Sequence, residues 1–202
     1  PKETHPMDAL RTGISCLAGY DQNLEDTSVK ANKERAYIMM AKLPALVANS
    51  YHILNGKEPI EPRADLSYSA NFLYMITGEV PTDTEVKIFD KSLLLYSEHE
   101  MPNSTFTARV IASTLSDLYG ALTGAVASLK GPLHGGANEA VMYSLREVDS
   151  AAGYEQYIMK KLKNKEKVMG FGHRVYMKKM DPRALVMKDA LKQLCELKGD
   201  DK

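Results

Sequence analysis

Three histidines stand at junctions marked by glycine or proline: His99 in SEHEMPN, His134 in GPLHGGANEAV and His173 in GFGHR. Glycines beside a functional side chain let a ligand reach the backbone, and junctions between elements are where sites are usually built. His134 directly precedes a helical pattern. A helix N-terminus disfavours the protonated imidazole and leaves a neutral ring N–H that can donate to a developing oxyanion. His173 is followed by Arg174 and, ten residues on, by Arg183 in DPRA. Grouped cations call for an anionic ligand, and arginine grips carboxylates with a two-pronged fork. These residues point to a site for a small polycarboxylate, with imidazoles acting on carbonyl groups, and leave the reaction open. A metal is the weaker reading. The three histidines are 35 and 39 residues apart, no local ligand pair or acidic cluster joins them, and none of the sequence reads as a zinc motif. His5, beside Pro6, reads as structural or solvated, and His52 as a core residue of a long helix.

The elements that must position these groups are helical. Hydrophobic periodicity predicts a helix capped by Asp8 and ending near Leu17. A long helix over 31–55 follows, with Pro44 kinking it and Gly56 stopping it. A helix over 65–76 ends at Gly78, and another starts at Thr82 or Asp83 and runs into residues 96–100. From Ser104 to Leu129 one helix is expected. Ala112, Ser116, Gly120, Gly124 and Ser128 recur along it every four residues and make one side smooth enough for close packing. That side is either a core contact or a subunit interface. Helices over 135–148 and 154–163 come next. The single candidate strand lies around Val168 and Val175, and Pro182 opens a last helix to about Leu197. The fold class expected is all-α.

Composition bounds the rest. The chain has 202 residues, 26 basic and 26 acidic, so no net charge argues for nucleic acid or an anionic membrane. The least polar run, 119–129, is far short of the ~20 residues a bilayer span needs. Residues 1–8 lack a signal-peptide pattern. Two distant cysteines, Cys16 and Cys195, suit buried thiols in a reduced, cytoplasmic setting. A start at Pro1 and a stop at GDDK lead us to expect a piece of a longer polypeptide.

Five stretches together resemble the citrate synthase family, nearest to its bacterial citrate and 2-methylcitrate synthases. They are HPMDALRTG (5–13), SYSANFLYM (67–75), SEHEMPNSTFTARV (97–110), GPLHGGANEAV (131–141) and GFGHRVYMKKMDPRA (170–184). The order and spacing are right, and they cover essentially the whole chain. The resemblance implies an all-α fold, with residues 1–136 part of a large helical domain and 137–202 the start of a small one. It implies a homodimer and condensation of acetyl-CoA or propionyl-CoA with oxaloacetate, followed by thioester hydrolysis. No cofactor is implied; the acyl-CoA is a substrate. By matched position His134 polarises the thioester carbonyl, and His173 donates to the oxaloacetate carbonyl. His99 and Arg183 bind oxaloacetate, while Leu133, Val168, Gly170 and Gly172 lie against CoA. The 104–129 helix matches one at the family's dimer interface, and Gly135 and Gly136 are hinge candidates.

Two departures stand out. The family's base, an aspartate in a later P-N-x-D segment, has no counterpart in these residues, and neither do two further substrate arginines, so an inactive fragment is expected. The step from His173 to Arg183 is ten residues, where the family commonly has nine. The alternatives are a catalytically incomplete helical fragment that dimerises or binds a ligand, and a citryl-CoA lyase-like domain.

Overall fold

In a computed structural model the described residues are 3–199. They form nine α-helices and two one-turn 3-10 helices, and no strand occurs among them. Internal contacts divide the chain into two compact units, Pro1–Leu129 and Lys130–Lys202.

The first unit holds α1 (Pro6–Leu17), α2 (Val29–Leu54), α3 (Tyr68–Thr77), α4 (Asp83–Tyr96), α5 (Asn103–Ala112) and α6 (Leu118–Leu129). Local chemistry explains most boundaries. The α1 cap is His5, not Asp8: its Nδ1 accepts the Met7 amide at 3.1 Å. Pro6, in the first turn, has no N–H left to satisfy. The Ser28 hydroxyl caps α2, and Gly56, at φ 69°, follows its end. Pro44 lies inside α2, which runs through it. α3 begins at Tyr68 under a Ser67 cap, later than the Asp65 expected. Asp65 is instead paired with Arg63 at 2.6 Å, and the Asn71 side chain clamps the Arg63 backbone from both its N–H and C=O. Gly78 stops α3 at φ 83°, and Thr82 with Glu85 forms a reciprocal capping box on α4.

The expected single helix over 104–129 is two helices. Leu115 adopts φ 65°, a left-handed conformation that no helix interior tolerates, and the Asp117 carboxylate then accepts the Gly120 amide at 2.8 Å to start α6. The two helices fold back antiparallel. The Ser128 hydroxyl donates to Asn103 Oδ1 at 2.6 Å, and a Cβ at Gly124 would collide with the Ile111 side chain and touch Thr107. The small residues therefore do not form one stripe; Gly124 and Ser128 serve contact within the chain.

Ile14, Met39 and Tyr119 form the buried core between α1, α2 and α6, with Leu10, Leu43, Leu46 and Leu122 packed around them. Gly13 lets α1 lie against Leu46 of α2, where a Cβ would stand 2.6 Å from Leu46 Cδ1. His52 is buried, as its helical position led us to expect, and its Nε2–H donates to the Met75 carbonyl at 2.7 Å. Both cysteines are free thiols, but Cys16 is exposed rather than buried because it lies off the Ile14 face of α1.

Arg35 organises the loop between α1 and α2. Buried to 4% exposure, it donates to Asp21 Oδ2 at 2.7 Å, to Asn32 Oδ1 at 3.2 Å, and to the carbonyls of Asn23 and Asp26. The Tyr119 hydroxyl donates to the same Asp21 oxygen at 3.2 Å, which ties the loop to α6. The Arg35 guanidinium, then the Asn23 amide, holds the Asp21 carboxyl below its ordinary 3.8. A carboxyl lowered on folding contributes stability above its unfolded pKa and loses it as pH falls through the folded one. Arg35→Met should therefore lower the melting temperature at neutral pH, with a deficit that shrinks as pH falls below the ordinary carboxyl value of 3.8. Thermal melts of both chains across that range check this; a constant deficit would mean lost packing, not lost charge. Gly124→Val should cost about 1–3 kcal/mol by overpacking Ile111. Urea titration of that variant with and without Ile111→Ala tests the contact, since the second change should recover part of the loss.

Candidate active site

In the first unit, His99 is half-buried in the link between α4 and α5. The next residue, Glu100, has φ 60°, and its amide donates to Glu98 Oε1 at 2.7 Å. A non-glycine residue in the left-handed region is uncommon and tends to mark functional turns. Pro102 then ends the link, and its carbonyl accepts the Phe106 amide at 3.0 Å as α5 begins.

The second unit contains α7 (Gly136–Arg146), α8 (Ala151–Lys163) and α9 (Pro182–Lys198). His134 is half-buried in the turn that launches α7. The Gly131 carbonyl accepts two amides there, from His134 at 2.9 Å and Gly136 at 3.1 Å. The His134 carbonyl in turn accepts the Ala137 amide at 3.1 Å. This winding presses Gly136 against backbone: a Cβ on it would lie 2.6 Å from the Lys130 carbonyl oxygen and 2.9 Å from that of Gly131. Gly136 is therefore required by close approach. Leu133, on the same turn, is exposed.

The stretch expected as a strand is a loop and a single 3-10 turn. Gly170 and Gly172 take φ 89° and 83°, which no extended alternation accommodates. A Cβ on Gly170 would come within 2.9 Å of Val141 Cγ2, so this loop seats on α7. The His173 side chain then caps the turn Arg174–Tyr176, Nδ1 accepting the Val175 amide at 3.3 Å. An Nδ1 that accepts leaves the ring proton of the neutral form on Nε2, so His173 is an Nε2–H donor. Its ring lies 5.4 Å from that of Tyr176.

Arg183 opens α9 one residue after Pro182. Asp181 caps the helix by accepting the Arg183 amide at 2.9 Å. The same carboxylate grips the guanidinium, with Nη2–Oδ2 at 2.7 Å and Nε at 3.1 Å from each oxygen. The guanidinium carbon is 6.0 Å from the Tyr176 ring centre. Val168 and Met169 line a separate cavity of about 200 Å³ with residues of α7 and α8, including Lys161. A side-chain hydrogen bond with Tyr157, whose ring centre lies 4.9 Å from the amine, is the main cause holding Lys161 above its ordinary value.

The second unit thus gathers His173 and Arg183 around Tyr176, and its 170 loop rests on the helix that His134 precedes. His99 belongs to the first unit. Sequence reasoning missed Tyr176, Asp181 and Val141. The first two carried a signal, since a 3-10 turn brings residues three apart together, and Asp-Pro before a helix is a cap. Val141 carried none. No group of three or more His, Cys, Asp or Glu among the described residues could hold a metal ion. No helix among them is long and apolar enough to cross a membrane.

The fold is all-helical, and its second unit sets an imidazole and a guanidinium around one tyrosine ring. The chain belongs to the citrate synthase family: the family model "Citrate synthase, C-terminal domain" matches residues 1–202. It is 70% identical over 200 residues to the citrate/2-methylcitrate synthase of Bacillus subtilis, with 99% of this chain and 54% of that protein covered. It is 47% identical over 194 residues to a 2-methylcitrate synthase of Mycobacterium tuberculosis, covering 96% of this chain and 49% of that one. The chain spans about half the length of the curated relatives it matches. Among solved structures, the citrate synthase of Thermoplasma acidophilum in ternary complex with carboxymethyl coenzyme A and oxaloacetate superposes with a TM-score of 0.86. That match is at 34% identity and covers 99% of this chain and 52% of the other. The Pyrobaculum aerophilum citrate synthase matches at 0.83 and 40% identity, covering 98% and 52%.

Gly136→Ala should destabilise the chain by about 1–3 kcal/mol despite alanine's better helix propensity, because backbone must move. Calorimetric melting decides it, and an unchanged transition would mean that the turn relaxes freely.

Proposed function

We propose that the protein this sequence belongs to condenses an acyl-CoA with oxaloacetate and hydrolyses the resulting thioester. The observation that carries this reading is the His173 ring, capped at Nδ1 so that it donates from Nε2, with Arg183 near the same Tyr176 ring. A donor on the ketone oxygen of oxaloacetate raises its electrophilicity as the carbon–carbon bond forms, and an arginine next to it binds a carboxylate of the same molecule. His134, on the turn before α7, stabilises the thioester enol. His99 adds a second contact to oxaloacetate, and Leu133, Val168, Gly170 and Gly172 lie along CoA. Enolising a weakly acidic thioester needs a base acting with that donor. No aspartate among these 202 residues matches the position of the family's base.

The identity to a relative named for both citrate and 2-methylcitrate supports use of acetyl-CoA and propionyl-CoA, and our reading leans to the latter. One methylene is worth only ~1–3 kcal/mol of discrimination. The same reading includes a homodimer in the cytoplasm, no bound cofactor, and a division into part of a large domain (1–136) and part of a small one (137–202).

In the full-length protein, His134→Ala and His173→Ala should each lower kcat by about 100-fold or more with either acyl-CoA. His99→Ala should act mainly on the KM for oxaloacetate. Steady-state assays with free CoA detection check this. Unaffected kcat in both histidine variants would refute the assignment, and a strong acetyl-CoA preference would defeat the propionyl lean.

A further inference from the structure

We propose that Tyr176 is a positioning residue that sets the His173 imidazole and the Arg183 guanidinium at a fixed separation. What the two groups act on rests on the synthase reading; the positioning itself does not.

The geometry begins with the 3-10 turn. Side chains three residues apart eclipse one another in such a turn, and the Tyr176 amide closes it on the His173 carbonyl at 3.0 Å. The two rings meet at 5.4 Å and 36°, inside the range of a favourable aromatic pair. The Val175 amide on Nδ1 and the Tyr176 ring beside it together restrain the imidazole's orientation and tautomer. On the arginine side, Asp181 fixes the guanidinium through both oxygens, and the Tyr176 ring lies 6.0 Å from its carbon. That distance is at the outer edge of cation–π attraction, so the contact is chiefly a spacer. Between the two groups runs the loop 177–180, whose Met177 and Met180 are 78% and 68% exposed. That loop carries little packing of its own. Half-buried Tyr176, with one group on either hand, is what spans it.

The ring, not the hydroxyl, makes both contacts. Tyr176→Phe should therefore keep the full-length protein within about twofold of the parent in kcat and in oxaloacetate KM. Tyr176→Ala should lose about tenfold or more in kcat and raise oxaloacetate KM, because misplacement of a reacting group is costly. Tyr176→Leu, which keeps the bulk that spaces Arg183 but loses the aromatic pair with His173, should lose kcat with less effect on oxaloacetate KM, and thermal melts of each variant separate this from a folding defect. Nitrogen NMR of the His173 ring, assigned through His173→Gln, gives a readout independent of turnover. The parent and the phenylalanine variant should hold the Nε2–H tautomer; without the ring beside it the imidazole can rotate off the Val175 amide, so the alanine variant should show a mixture. An unchanged tautomer in Tyr176→Ala overturns the proposal, as does a phenylalanine variant as impaired as alanine. If the parent condenses neither acyl-CoA, the synthase reading fails and the tautomer alone judges the positioning.

Discussion

The second unit depends on one carbonyl oxygen. Gly131 receives the amides of both His134 and Gly136, and that double acceptance winds the chain tightly enough to press Gly136 onto the backbone of residues 130 and 131. The turn determines where α7 begins. α7 then presents Val141, and Val141 is what Gly170 seats against. Through that seat the start of α7 and the loop carrying His173 become parts of one assembly. Catalytic constellations need placement to fractions of an ångström, and a backbone-to-backbone contact is stiffer than any pair of side chains.

Histidine side chains serve repeatedly as caps. His5 caps α1 and His173 caps the turn at Arg174, each by accepting an amide through Nδ1. For His5 this replaces a serine or aspartate. For His173 the cap has a chemical consequence, because the accepted hydrogen bond selects the tautomer that donates from Nε2. The helix-start role and the donor role are one interaction seen from its two nitrogens.

The first unit answers a different constraint. Its core is small, resting on Ile14, Met39 and Tyr119, and the loop between α1 and α2 is held by a buried charge in place of apolar packing. Asp21 accepts from both Arg35 and Tyr119, so the loop and α6 are locked by the same oxygen. Burying an arginine is favourable only when its donors are met, and here backbone carbonyls of the loop do much of that work.

Residue types alone determined the helical class, the glycine and proline boundaries, and the histidines worth watching, because caps, breakers and periodicity act over three or four neighbours. The five family motifs were likewise plain in the sequence. Tertiary structure decided what depends on contacts between distant segments. The 104–129 stretch reads as one smooth helix until Leu115 turns left-handed and Gly124 meets Ile111. The 168–175 stretch reads as a strand until two left-handed glycines and a histidine cap turn it into a loop. Gly136 is a hinge candidate in sequence; that it also presses on the backbone of residues 130 and 131 is visible only in the structure. Val141 and Tyr176 matter through what lies opposite them, and no local pattern of residues records that.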